Sequence, residues 1–187
     1  MNLLEAKAQS VAQIIEGRVV PNVPNLAVSI QGSVLGFPVT IQAIGTKWPF
    51  PTMYFLETKI IEDPQHPAEE PLMLTIAPRM GKGILSYFTR IVLFEPMGMG
   101  VGNKKLESSL LFHYNSAVQA ERFVQYPAVA ETLDKLNRYC KFSEIKISSR
   151  EGIYLAQPKS FEALDLDVCR QTVKYLGELG QVLFDVF

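Results

Sequence analysis

The chain has 187 residues, 48% of them hydrophobic and 20% charged. That composition excludes a disordered or low-complexity chain, and the length suits a single globular domain, 1–187, that buries roughly 70% of its unfolded surface without metal or disulfide staples. Eighteen basic against nineteen acidic residues leave a net charge of −1, so no global field draws in nucleic acid or an anionic membrane.

Residues 2–17 predict an amphipathic helix, with Leu4, Ala8, Val11 or Ala12, and Ile15 on one face and Gly17 as its stop. Pro21 and Pro24 force an extended linker after it. In LAVSIQGSVLGFPV (26–39), Gly32-Ser33 has the composition of a two-residue hairpin turn. Folding there pairs Ile30 with Leu35, Val28 with Phe37 and Leu26 with Val39, all six on one face, and so charge-free a hairpin calls for a covering helix. Pro38 puts part of the second strand at an edge or bulge. The charge-free stretch 19–46 is broken by Pro21, Pro24, Pro38 and three glycines, a strand pattern and not a membrane span.

Residues 52–61 and 72–77 read as a third and a fourth strand, separated by an acidic, proline-rich loop that contains His66. Between 79 and 105 no period is clear: 83–94 fits a helix or a strand, and 95–102 is loop. Residues 109–114 read as a strand. Ser116-Ala-Val-Gln119 has the form of a capping box, and Pro127 suits the first turn of a second helix with Val129, Leu133, Leu136 and Cys140 as its buried stripe. A hairpin follows at 144–149 and 152–156, with Ile145, Ile147, Ile153 and Leu155 inward. A terminal helix starts at Asp165 or Asp167 and buries Cys169, Val173, Leu176, Leu179, Leu183 and Val186. The fold class is therefore α+β: an antiparallel sheet of about six or seven strands built from hairpins, helices packed on one face, and N- and C-terminal helices.

Reactive groups are sparse. Cys140 and Cys169 lack CxxC spacing and read as buried apolar thiols on helices. His66 and His113 stand in no HxxxH or HExxH setting, and His113 falls on the outward phase of its strand if Leu110, Phe112 and Tyr114 face the core. No catalytic, cofactor-binding or metal-binding residue is assigned. The paired carboxylates, Glu62-Asp63, Glu69-Glu70 and Asp165 with Asp167, suit a solvated loop and a helix start. The run GMGVGNKK (98–105) offers successive glycine amides and lysines to a phosphate, yet it matches neither phosphate-loop fingerprint and reads more simply as a loop. Lys135, Arg138, Lys141, Lys146 and Arg150 crowd one stretch and read as a solvated face, not a nucleic-acid site.

The apolar density of 83–101 carries the sharper expectation. Phe88, Leu93, Phe94, Met97, Met99, Lys104 and Lys105 form the candidate interaction surface. The stretch Leu111-Phe-His-Tyr-Asn-Ser116, then Ala120-Glu-Arg-Phe-Val124, Pro127, Val129, Leu133 and Leu136, resembles a module of uncharacterised bacterial domains of unknown function. Gln31-Gly32 to Gly36-Phe-Pro-Val39 is similar to their "G…GxPV" hairpin. The resemblance spans roughly 30–160, transfers no catalytic residue and implies a non-enzymatic domain.

The expectation is a non-catalytic binding or interaction domain in the cytoplasm that meets a protein partner or a membrane surface through 83–105. No cofactor and no specific nucleic acid is expected, and homo-oligomerisation stays open. The alternatives are a small apolar-ligand carrier with a cavity between sheet and helices, and a hydrolase or transferase acting on a phosphate-bearing substrate.

Overall fold

The computed structural model describes residues 3–21, 23–44, 52–57, 71–79 and 99–187. Helix α1 (Leu3–Ile14) buries Ala8, Val11 and Ala12, as its apolar spacing predicts, and leads to a two-residue strand, β1 (Arg18–Val19). β2 (Leu26–Val34) and β3 (Phe37–Ile44) form a hairpin, and β4 (Thr52–Leu56) and β5 (Met73–Pro78) come next. A short helix, α2 (Lys104–Glu107), precedes β6 (Leu110–Tyr114), α3 (Ala117–Val124) and α4 (Pro127–Lys135). A π-turn, Leu136–Cys140, extends α4 and ends at Lys141 with φ 44°. β7 (Glu144–Ser148), β8 (Gly152–Gln157) and the 21-residue α5 (Leu166–Val186) follow.

The described strands form one antiparallel sheet of eight, in the order β1-β2-β3-β4-β8-β7-β5-β6. Among the described residues the helices pack on one face, so the expected α+β class holds. The strand beyond the expected seven is β1, too short to show alternation. The register explains why the sheet is one-sided. Val19, Ile30, Ile41, Tyr54, Leu155, Ile145, Ile76 and Phe112 are cross-strand neighbours in one row across all eight strands. From Ile30 onward every member of that row is buried, with α1 packed on β2 and α5 on β2, β4 and β8. One residue along each strand the side chains point the other way. That row reads Arg18, Gln31, Thr40, Phe55, Tyr154, Lys146, Thr75, His113, and it forms the outer face.

The hairpin corrects the expected turn. Val34 pairs with Phe37 across Leu35-Gly36, whose φ values of 49° and 85° are those of a type I′ turn, and Ile30 pairs with Ile41 rather than Leu35. The partner of Ile30 thus lies six residues further on. An even slip preserves the side-chain face, so Val28, Ile30, Phe37 and Val39 still point toward the helices. Gly32 is needed elsewhere. A Cβ there would lie 2.7 Å from the Ile15 side chain and 2.9 Å from Gly17 Cα, where the end of α1 crosses β2. The expected covering helix is α5, whose Gly177 and Gly180 lie against Val34, Leu35, Phe37 and Leu56.

The helix starts follow local chemistry. The Ser116 hydroxyl accepts from the Gln119 N–H at 3.5 Å to open α3, and Pro127 occupies the first turn of α4. The Asp165 carboxylate accepts from the Asp167 and Val168 amides at 2.8 and 3.1 Å to cap α5. Those two bonds, Val168 first, hold its carboxyl below the usual range.

Candidate functional site

The outer face carries a cleft of about 390 Å³ whose lining lies on β3, β4, β5, β7 and β8. Pairing makes its shape. Met73 neighbours Ser148, and Ser148 neighbours Gly152. One step beyond the Leu56–Ile153 pair, Glu57 comes beside Gly152. Glycine has no side chain, and φ 109° at Gly152 lies where other residues are strained. In the row Glu57, Gly152, Ser148, Met73 the two middle residues are small and buried, and the outer two are exposed. Beside it stands the taller row of Phe55, Tyr154 and Lys146, whose two rings pack 5.0 Å apart at 56°.

Charge is unevenly spread around this cleft. The Lys146 ammonium lies 5.7 Å from the Tyr154 ring centroid and 3.2 Å from the Glu144 carboxylate, so its charge is already answered. Burial first, then Glu144, pushes the Tyr154 phenol up, and Lys146 pulls it the other way, so the ring remains a neutral phenol near neutral pH. Glu57 and Glu151 both line the cleft, and among the described residues neither carboxylate is held by an ion pair or a side-chain hydrogen bond. The Ser148 hydroxyl accepts from the Arg150 and Glu151 amides at 3.3 and 3.2 Å, which fixes the β7–β8 turn.

Of the expected interaction surface, Phe88, Leu93, Phe94 and Met97 lie outside the described residues, as does His66. Met99 is 45% exposed, and its N–H donates to the Phe112 carbonyl at 2.7 Å along the outer edge of β6. Lys104 and Lys105 sit on α2, where Lys105 pairs with Asp134 at 3.3 Å, in the helical layer. In the described part of the glycine run, 99–105, one backbone amide is already engaged. The Val101 amide already donates to the Glu107 carboxylate at 2.7 Å, a charge of the wrong sign for an anion. The basic cluster is dispersed as well. Lys135 pairs with Glu131 and Arg138 with Asp134 in the helical layer, whereas Lys146 points from the outer face.

Both cysteines are free thiols and buried. Burial pushes the Cys169 thiol up to about 11 and also raises Cys140, against a hydrogen bond with Thr172 that lowers it. Such thiols are protonated and inert at neutral pH. They lie under the helices with Tyr54 and Gln157, while His113 pairs with Thr75 on the outer face. The sheet separates this histidine from both thiols, and among the described residues no Cys–His pair is assembled.

Among the described residues no group of three or more His, Cys, Asp and Glu side chains is placed to hold a metal ion. No described helix is long and apolar enough to cross a membrane. No family model, curated protein or solved structure matches the chain.

The cleft has no continuous signature along the chain. Its residues come from five strands, and only the sheet order β4-β8-β7-β5 brings Phe55 beside Tyr154 and Met73 beside Ser148. The only local signal was the alternation in 144–157 that left Lys146, Ser148 and Tyr154 off the buried phase.

Proposed function

We propose that the chain is a non-catalytic binding domain that holds a small molecule in the cleft on the outer face of its sheet. The observation that carries this reading is the cleft itself, which the Phe55 and Tyr154 rings line together with Glu57, Met73, Ser148 and Gly152. A volume of 390 Å³ with aromatic walls and a few polar groups fits the usual range of small-ligand sites. Protonated thiols and a histidine on the far side of the sheet support binding over bond-making. The free, buried cysteines suit the cytoplasm, where thiols stay reduced. The site differs from the carrier cavity expected between sheet and helices, a space filled by Tyr54, Leu56, Phe112 and Leu155.

Amide NMR with benzyl alcohol as an uncharged aromatic probe tests the reading. The expected result is shifts gathered at Phe55, Gly152 and Tyr154 that vanish in Thr75→Phe, which fills the cleft from β5. Shifts scattered over the surface, or unchanged in Thr75→Phe, overturn it.

A contact with a protein partner or membrane through 83–105 is the second reading, favoured by the exposure of Met99 beside the β6 edge. Phe88→Asp and Leu93→Asp test it in liposome and pull-down assays. Equal binding by well-folded variants removes the segment from the account.

A further inference from the structure

We infer that the cleft on the outer sheet face selects a small organic cation with an apolar body, such as an aryl- or alkylammonium. The inference rests on the cleft being the binding site. Three features of its lining set the sign of the ligand. The Glu57 and Glu151 carboxylates both belong to the lining, with neither an ion pair nor a side-chain hydrogen bond among the described residues. Among the described residues of the lining the one lysine, Lys146, has its charge met by Glu144 at 3.2 Å. The aromatic wall already accepts a cation, because that same ammonium lies 5.7 Å from the Tyr154 centroid. A ring face attracts positive charge through its quadrupole, and the attraction grows as water is excluded.

An anionic ligand meets the reverse conditions. It must approach the Glu57 and Glu151 carboxylates and draw Lys146 away from Glu144. A neutral ligand gains the apolar contact of Phe55 and Met73 but leaves the carboxylates unanswered. A cation with an apolar body uses both parts. Its body lies in the cleft against Phe55 and Tyr154, and its charge faces Glu57 and Glu151.

Three probes of similar shape separate the cases: benzyltrimethylammonium, benzyl alcohol and benzylsulfonate, each titrated into the full chain and followed by amide shifts at Phe55, Gly152 and Tyr154. The expected result is that the cation binds about 10-fold more tightly than the other two. Glu57→Gln with Glu151→Gln should bring the cation's affinity down to that of benzyl alcohol in the same variant, and a cation advantage that survives the change overturns the inference. Cation and alcohol binding equally at the cleft overturns the cation inference and leaves the cleft as a site. Preference for the sulfonate overturns it as well. Failure of all three probes to move these amides, in protein whose other amides are native, overturns both the inference and the reading beneath it.

Discussion

Gly17 and Gly32 meet backbone to backbone: a Cβ on Gly17 would lie 2.8 Å from Gly32 Cα, and one on Gly32 would lie 2.9 Å from Gly17 Cα. The Ser33 N–H donates to the Ile15 carbonyl at 2.7 Å beside this crossing. Gly32→Ala therefore forces backbone apart and should cost about 2–3 kcal/mol, the upper part of the overpacking range. Gly36→Ala meets nothing within 4 Å and bears only the strain of φ 85°, about 1 kcal/mol. Urea unfolding of the two variants compares the costs, with the midpoint shifting at constant slope. A larger loss at Gly36 than at Gly32 contradicts the crossing.

The same glycine shows where the sequence is and is not legible. Gly-Ser is a fair hairpin dipeptide, so local rules place the turn at Gly32, while the contact that claims Gly32 comes from the end of α1. The alternation itself survives, because the slip is even and Ile30 faces the helices in either register. The hairpin at 144–157 and the stripes of α4 and α5 were legible because burial follows period there, from Ile145 to Leu155 and from Cys169 to Val186. The cleft was not legible. Phe55 and Tyr154 meet only because β4 pairs with β8, and nothing local to either strand encodes that pairing.

A polar network inside the core supplies a second prediction. The Tyr54 hydroxyl donates to Gln157 Oε1 at 2.9 Å, and Gln157 Nε2 donates to the Cys140 carbonyl in the π-turn. Tyr54 is 0% exposed, as is Gln157. Tyr54→Phe leaves one buried amide oxygen unmet and should cost about 1–3 kcal/mol. Gln157→Leu leaves both the Tyr54 hydroxyl and the Cys140 carbonyl without this partner and should cost more. The double variant should lose clearly less than the two single losses added together, since one bond is broken in each. Strict additivity in a denaturation cycle contradicts the network.

The buried thiols make stability depend on alkaline pH. The folded chain holds Cys169 protonated up to about 11, with burial as the main cause, whereas an unfolded thiol ionises near 8.5. A group whose folded pKa is raised contributes fully below its unfolded pKa and loses that contribution as pH rises through the folded value. Stability should thus be flat below about pH 8 and fall toward pH 11 by about 1.4 kcal/mol per pH unit for this thiol. Cys140 and Tyr54 are raised by burial too and add to the slope at high pH. Cys169→Ala should flatten the profile, and a thiol reagent at pH 8 should label neither cysteine until urea unfolds the chain. Rapid native labelling of Cys169 contradicts the placement.

Two glycines in α5 separate helix propensity from packing. Alanine in place of a helical glycine gains about 1 kcal/mol in either position, so the difference between the variants reports what the new methyl meets. At Gly177 it meets Leu35 Cδ1 at 3.0 Å, the tip of a side chain that is 53% exposed at a hairpin turn and has room to swing outward. At Gly180 it meets Leu56 Cδ2 at 2.9 Å, and Leu56 is 1% exposed under the helix with nowhere to go. Gly177→Ala should therefore stabilise by about 0.5 kcal/mol, because propensity outweighs a small rearrangement. Gly180→Ala should destabilise by about 1 kcal/mol, because strain in a filled core exceeds the propensity gain. Urea midpoints of the two variants give the sign directly. Equal stabilisation by both would mean that α5 does not bear on Leu56 at this depth, and the seating of the helix on β4 would be wrong.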